Sequence, residues 1–221
     1  MQSDDGEEIG RNSPCRRVRL TLLTLDIERA YKFDFYMPSG RTMEQKIKRV
    51  NRELKHRGNI VDFYQDTIEI EGKRRTYYDY IHHIGAAAVV PVTDDGKILM
   101  VKQYRNALDQ FTLEVPAGAL DRVDEPGLEC AIRELEEETG YRSEDFEWLI
   151  NIRTTVAFCN ERIEIYVARN LIPSKQNLDE NEFIEVNAYE MNELKEMIYT
   201  GEIQDSKTIS ALLAYEVKYN Q

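Results

Sequence analysis

Glu134, Glu137 and Glu138 stand at i, i+3 and i+4 in the run CAIRELEEETGY, residues 130–141. A helix places all three carboxylates on one face. Like charges on adjacent turns repel, so such a cluster weakens an isolated helix. It becomes favourable if divalent cations sit among the carboxylates, and Mg²⁺ and Mn²⁺ are hard ions that prefer such oxygens. The competing explanation is a solvated acidic face, which is common in Glu-rich helices. Arg133 is placed to pair with one of the acids. Ala131, Ile132 and Leu135 supply a core-facing side, and Gly140 supplies a C-terminal stop. Glu136 points elsewhere and reads as solvated.

The context sharpens the reading. A Gly-bearing loop, Pro116-Ala117-Gly118, precedes the helix. The whole stretch resembles the signature of the Nudix hydrolases, G-x5-E-x7-R-E-U-x-E-E-x-G-U, with U a bulky apolar residue. Arg133, Glu134, Leu135, Glu137, Glu138, Gly140 and Tyr141 match its second half in order. The first half departs: Asp124 and Glu125 lie six and seven residues after Gly118. Either the loop carries one extra residue or Asp124 replaces the Glu. Four further segments, RNALDQFTLEVPAG, AFCNERIEIYVA, NEFIEV and GEIQDSKTISALLAYE, resemble the ADP-ribose pyrophosphatase branch of that family.

The resemblance implies an α/β fold, the Nudix α/β/α sandwich with a mixed sheet; an N-terminal β-rich extension, read from its own strand patterns, lies outside the resemblance. The resemblance also implies metal-dependent hydrolysis of ADP-ribose to AMP and ribose 5-phosphate, with Mg²⁺ or Mn²⁺ as cofactor. Glu134, Glu137 and Glu138 are then the metal ligands, joined by the backbone carbonyl of Ala117. A base on a loop before a late strand is implied as well. Glu180 and Glu182 occupy that place, Glu180 as base and Glu182 as a possible metal ligand; both also read as plain exposed loop acids. Arg105, in a Q-Y-R setting, is assigned to substrate, its guanidinium fork suiting phosphate or a base face. Glu114 resembles a position that binds the terminal ribose. Arg75, with Phe63 and Tyr77, forms a candidate adenine sandwich, although aromatic residues at strand spacing more often pack a core. Glu161 matches a recurring acidic position. His82 and His83 read as structural, and Asp205 as a cap of the last helix. Members of this branch bind substrate across a dimer built by an N-terminal hairpin, so a homodimer is expected. The alternatives are another nucleoside diphosphate sugar, such as GDP-mannose, or a nucleotide sensor without catalysis. The intact acids weigh against the sensor.

These residues need elements to hold them. Three segments are expected: an extension over residues 1–45, a hairpin region over 46–84 for dimerisation and substrate binding, and the hydrolase domain over 85–221. Strands are expected at 17–26 and 31–37. Met43, Ile47, Val50 and Leu54 lie at helical spacing and predict a helix from Thr42 to Gly58, started by a Thr42–Gln45 capping box. Ile60–Ile70 and Thr76–His82 predict a hairpin around Glu71–Arg74. Ala86–Val92 reads as a buried strand, and Ile98–Gln103 as its hairpin partner. Strands follow at Trp148–Thr155, Glu164–Asn170 and Phe183–Tyr189, then helices at Asn192–Thr200 and Lys207–Val217.

The chain has 221 residues, 42% of them apolar, enough for one substantial core. Its net charge of −12 argues against nucleic-acid or anionic membrane surfaces. An anionic substrate stays compatible, because bound cations invert the local sign. Cys15, Cys130 and Cys159 show no metal-binding spacing and suit a reducing compartment. With no apolar run of about 18 residues, a cytoplasmic protein is expected.

Overall fold

The structure is a computed structural model that describes residues 46–178 and 183–219. The expected strands at 17–26 and 31–37, the Thr42–Gln45 capping box and Cys15 lie outside the described residues, as do Glu180 and Glu182.

The described chain opens with three antiparallel strands, β1 (Ile47–Arg57), β2 (Asp62–Ile70) and β3 (Arg74–His82), in the order β1-β2-β3. The expected hairpin joins β2 to β3. Its turn places Glu71 and Gly72 at φ 53° and 70°. Over its described part, residues 46–58, the helix expected from Thr42 to Gly58 is not formed, and β1 stands in its place. The physical reason lies in two register shifts against β2, at Arg49/Asn51 and Leu54/His56. Each inserts a residue and breaks the period of two, so apolar positions in a bulged strand imitate helical spacing. Within this sheet Arg52 donates to both oxygens of buried Asp66 at 2.7 Å and stacks 3.5 Å from the Tyr80 ring centre.

The body follows. Its elements are β4 (Ala86–Pro91), β5 (Ile98–Arg105), β6 (Gln110–Glu114), β7 (Ala117–Ala119), α1 (Gly127–Thr139), β8 (Tyr141–Arg142), β9 (Asp145–Arg153), β10 (Arg162–Arg169), β11 (Ile172–Pro173), β12 (Ile184–Tyr189), α2 (Met191–Thr200) and α3 (Ser206–Tyr219). One sheet runs β7-β4-β10-β9 and is mixed, with β4 parallel to β10. A second runs β12-β5-β6 and is antiparallel, and β8 and β11 form a separate two-stranded pair. The expected β4–β5 hairpin is therefore corrected. The two strands touch through a single bridge, Val92 to Ile98, and β5 pairs with β6 and β12.

Every residue of β4 is buried, as a central strand covered on both faces requires. Ala87 and Val89 pack with Cys130, Ala131 and Leu135 of α1. Ala86, Ala88 and Val90 pack on the opposite side with Leu194 of α2 and Ala211, Leu212 and Tyr215 of α3. The result is the expected α/β/α sandwich with a mixed sheet. In α1 the buried stripe runs through Cys130, Ala131, Glu134, Leu135 and Glu138. Ile132, expected in the core, is turned 40% into solvent. Gly140 ends the helix in the left-handed region, φ 71°, its N–H bonded to the Glu136 carbonyl. No helix among the described residues is long and apolar enough to cross a membrane.

Candidate active site

The sandwich buries two of the three clustered carboxylates of α1. Glu134 is 8% exposed and Glu138 3%, while Glu137 is half-buried. Both buried acids lie against the loop ahead of the helix. The Ala117 N–H donates to Glu138 Oε2 at 2.9 Å. The Glu134 carboxylate fills the space beside Gly118, where an added Cβ would meet its Oε1 at 2.0 Å. Glycine is required there for close approach, since Gly118 is outside the left-handed region.

One guanidinium serves the acids. Arg133 reaches Glu134 at 2.6 Å, Glu137 at 3.1 Å, Asp121 at 3.4 Å and Glu125 at 3.7 Å, and donates to the Ala119 carbonyl at 3.1 Å. Burial works against its charge, but Glu134 and Glu137 outweigh burial and raise its pKa further. The loop register is now resolved. Glu125 is buried, accepts the Asp121 N–H at 2.6 Å and faces Arg133, whereas the Asp124 side chain is 86% exposed. The loop therefore carries one extra residue between Gly118 and Glu125. Cys130 beneath it is no nucleophile at neutral pH. Burial, and then the charge of Glu134, push its thiol up to about 12.

Among the described residues, no group of three His, Cys, Asp or Glu side chains is arranged to hold a metal ion. The donors present are nonetheless carboxylate oxygens, the type a hard divalent ion takes. One guanidinium among four carboxylates leaves the cluster rich in negative charge. Donor chemistry and charge both fit a divalent cation.

The same loop forms one wall of a cavity of about 590 Å³. Arg105 and Glu114 line it, as do Glu161 and Asp205. Arg105 forks onto Glu114, with Nε to Oε1 at 2.8 Å and Nη2 to Oε2 at 2.6 Å. Thr112 donates to Oε1 at 2.6 Å and Lys207 donates to Oε2. Burial opposes ionisation of Glu114, but Arg105 and Lys207 hold its carboxyl down at about 2. Asp205 caps α3 as expected, accepting the Thr208 N–H at 2.9 Å. Thr208 in turn accepts the Val115 N–H at 3.0 Å, tying α3 to the strand that leads into the loop.

Two lining groups had no chemical part in the sequence reading. Lys207 is buried and its partner lies 93 residues away, beyond any local pattern. His83 lines the cavity beside Glu161; its Nδ1 accepts the Gly85 N–H at 3.1 Å, so it is also structural as expected. Glu161 accepts from Thr154 at 2.6 Å. Arg75 is not among the lining residues. It lies exposed on β3, 3.6 Å from Glu69; Phe63 and Tyr77 are exposed too, but Phe63 pairs with Ile81, six residues along β3 from Arg75, so the three are not brought together within one chain. Glu180 and Glu182 fall outside the described residues. The chain approaches them along the end of α1, where the Asn177 N–H bonds the Glu137 carbonyl at 3.0 Å and Gln176 bonds the Glu138 carbonyl at 2.7 Å.

Comparison with known proteins agrees with this geometry. A family model described as the NUDIX domain matches residues 82–212. The chain is 38% identical to a methanol dehydrogenase activator of Bacillus methanolicus, over 78% of this chain and 93% of the relative. It is 35% identical to an ADP-ribose pyrophosphatase of Bacillus subtilis (strain 168), over 82% of this chain and 95% of the relative. Its fold matches a crystal structure of an ADP compounds hydrolase with a TM-score of 0.71 at 22% identity, over 78% of this chain and 94% of that one. Glu134, Glu137 and Glu138 are not among the lining residues; Glu134 and Glu138 stand behind the loop Ala117–Ala119, which faces the cavity with Arg105. With that signature helix and loop, the chain belongs to the Nudix family and is a Nudix pyrophosphohydrolase.

Proposed function

We propose that the protein hydrolyses the pyrophosphate of ADP-ribose to AMP and ribose 5-phosphate. The observation that carries this reading is the shared cavity: the loop over the acids and the Arg105–Glu114 fork face the same 590 Å³ space. The 35% identity to an ADP-ribose pyrophosphatase over most of both chains supports the choice of substrate. Glu134, Glu137, Glu138 and the carbonyl of Ala117 would hold a divalent ion, Mg²⁺ or Mn²⁺, with Glu182 as a further ligand. When bound, the ion supplies positive charge to the phosphoryl oxygens and makes nearby water more acidic.

The remaining work falls to side chains of this protein. Arg105 spends one edge of its guanidinium on Glu114 and keeps the other for the substrate anion. Glu180 takes the proton of the attacking water. Glu180 follows Asn177, which is pinned to α1, by three positions, a reach of about 10 Å at most. The water oxygen bonds to one phosphorus, the bridging P–O bond breaks, and the bridging oxygen leaves on the other phosphate. A homodimer through the β1–β3 sheet is part of this reading. That sheet exposes Ile47, Leu54, Phe63, Tyr77 and Tyr78, and it would bring Arg75 to the cavity of the second copy.

A panel of ADP-ribose, GDP-mannose and other nucleoside diphosphate sugars, assayed with Mg²⁺ and Mn²⁺, tests the substrate. ADP-ribose is expected to give the highest kcat/KM and to release AMP. A tenfold preference for GDP-mannose overturns the choice. The identity to a methanol dehydrogenase activator favours a second reading, action on a dehydrogenase. Stimulation of a purified dehydrogenase, with no turnover of any free sugar nucleotide, would support it.

A further inference from the structure

Four charged groups meet at the floor of the cavity: Arg105, Glu114, Asp205 and Lys207. Glu114 and Lys207 are buried, at 2% and 8% exposure. Lys207 Nζ bridges the two carboxylates, donating to Glu114 Oε2 and, at 2.9 Å, to Asp205 Oδ2. With Lys207 present the quartet is neutral, two cations against two anions. Arg105 feels Glu114 first, and then Glu138 and Asp205, through the electrostatic pull of each on its charge. Asp205 is thus a standing competitor for the guanidinium.

We infer that Lys207 is a positioning residue, which occupies Asp205 so that Arg105 stays forked on Glu114 with its outer edge free for the anionic substrate. The inference rests on the proposed hydrolysis of a nucleoside diphosphate sugar and adds a determinant of its binding. Removing the lysine charge has two consequences. The floor becomes net negative beneath a negative substrate, and Asp205 is freed to draw Arg105 away. Both weaken binding of ground and transition state alike, so the loss is expected in KM rather than kcat.

Steady-state kinetics of the full chain with ADP-ribose and Mg²⁺ test this. Lys207→Met is expected to raise KM about 10-fold or more, the scale of one uncompensated charge near the site, and to change kcat less than about 3-fold. Adding Asp205→Asn restores neutrality and keeps the helix cap, since Asn caps as well as Asp. The double variant is expected to recover KM to within about 3-fold of wild type. A lysine that merely supports the fold, or that touches substrate directly, gives no such rescue. Absence of rescue, or a loss confined to kcat, overturns the inference. If Lys207→Met does not fold, Lys207→Gln carries the same comparison. A crystal structure of the single variant should show Arg105 displaced from Glu114 toward Asp205; an unmoved fork contradicts the inference. That readout stands even if wild-type protein releases no AMP, a result that would sink the proposed function alone.

Discussion

Glu138→Gln is expected to lower kcat by about 10²–10³-fold, the cost of removing one charged element of transition-state stabilisation. Its melting temperature is expected to stay close to that of wild type. Glu138 and Glu134 are buried one turn apart, and like charges at that spacing oppose the helix. Glutamine keeps the shape, and its amide oxygen can still accept the Ala117 N–H now bonded to Glu138. Neutralising the side chain therefore relieves repulsion from Glu134, gives up its pull on Arg105, and removes the charge that would hold a cation. Kinetics combined with thermal melting separate the two effects. Turnover within about 3-fold of wild type rejects Glu138 as a ligand. A large fall in melting temperature would instead show that its charge serves the fold.

Gly118→Ala is expected to cost about 10²-fold in kcat with a stability change below about 1 kcal/mol. The new Cβ would lie 2.0–2.5 Å from the Glu134 carboxylate. Something must move, and the mobile end of a Glu side chain moves more cheaply than backbone. Gly118 does not need the left-handed region, so alanine brings no backbone strain. The damage is confined to the placement of Glu134. Combining Gly118→Ala with Glu134→Gln checks this directly. If both act through the same carboxylate, the double variant is no worse than the worse single one. Additive losses would mean that Gly118 serves another purpose.

How much of this was legible in the sequence depends on how local each determinant is. Helix α1 was legible because its apolar stripe, its acids and Gly140 fall within one short stretch. The buried strand β4 was legible because both its faces are covered, which leaves an unbroken apolar run. The edge strand β1 was not. Its residues are mostly exposed, and two bulges scramble the alternation that identifies a strand. The partner of β5 was misassigned for a related reason. A turn signal at 93–97 predicts a hairpin, but strand choice is decided by packing, and β5 leaves β4 after one bridge to join β6 and β12. Arg105 and Glu114 are candidates by resemblance alone, and the structure joins them in one fork. Lys207 was missed because no local pattern links it to Glu114. The register of the loop needed burial to settle it, since Asp124 and Glu125 differ in sequence only by one step.

The central claim is that the carboxylate cluster around Arg133, one guanidinium facing four acids among the described residues, works by holding a divalent ion. AMP release from ADP-ribose by the wild-type protein, measured in Mg²⁺ and again after chelation, tests it most directly. The account predicts that chelation abolishes release and that added Mg²⁺ or Mn²⁺ restores it; undiminished release in excess chelator would contradict it.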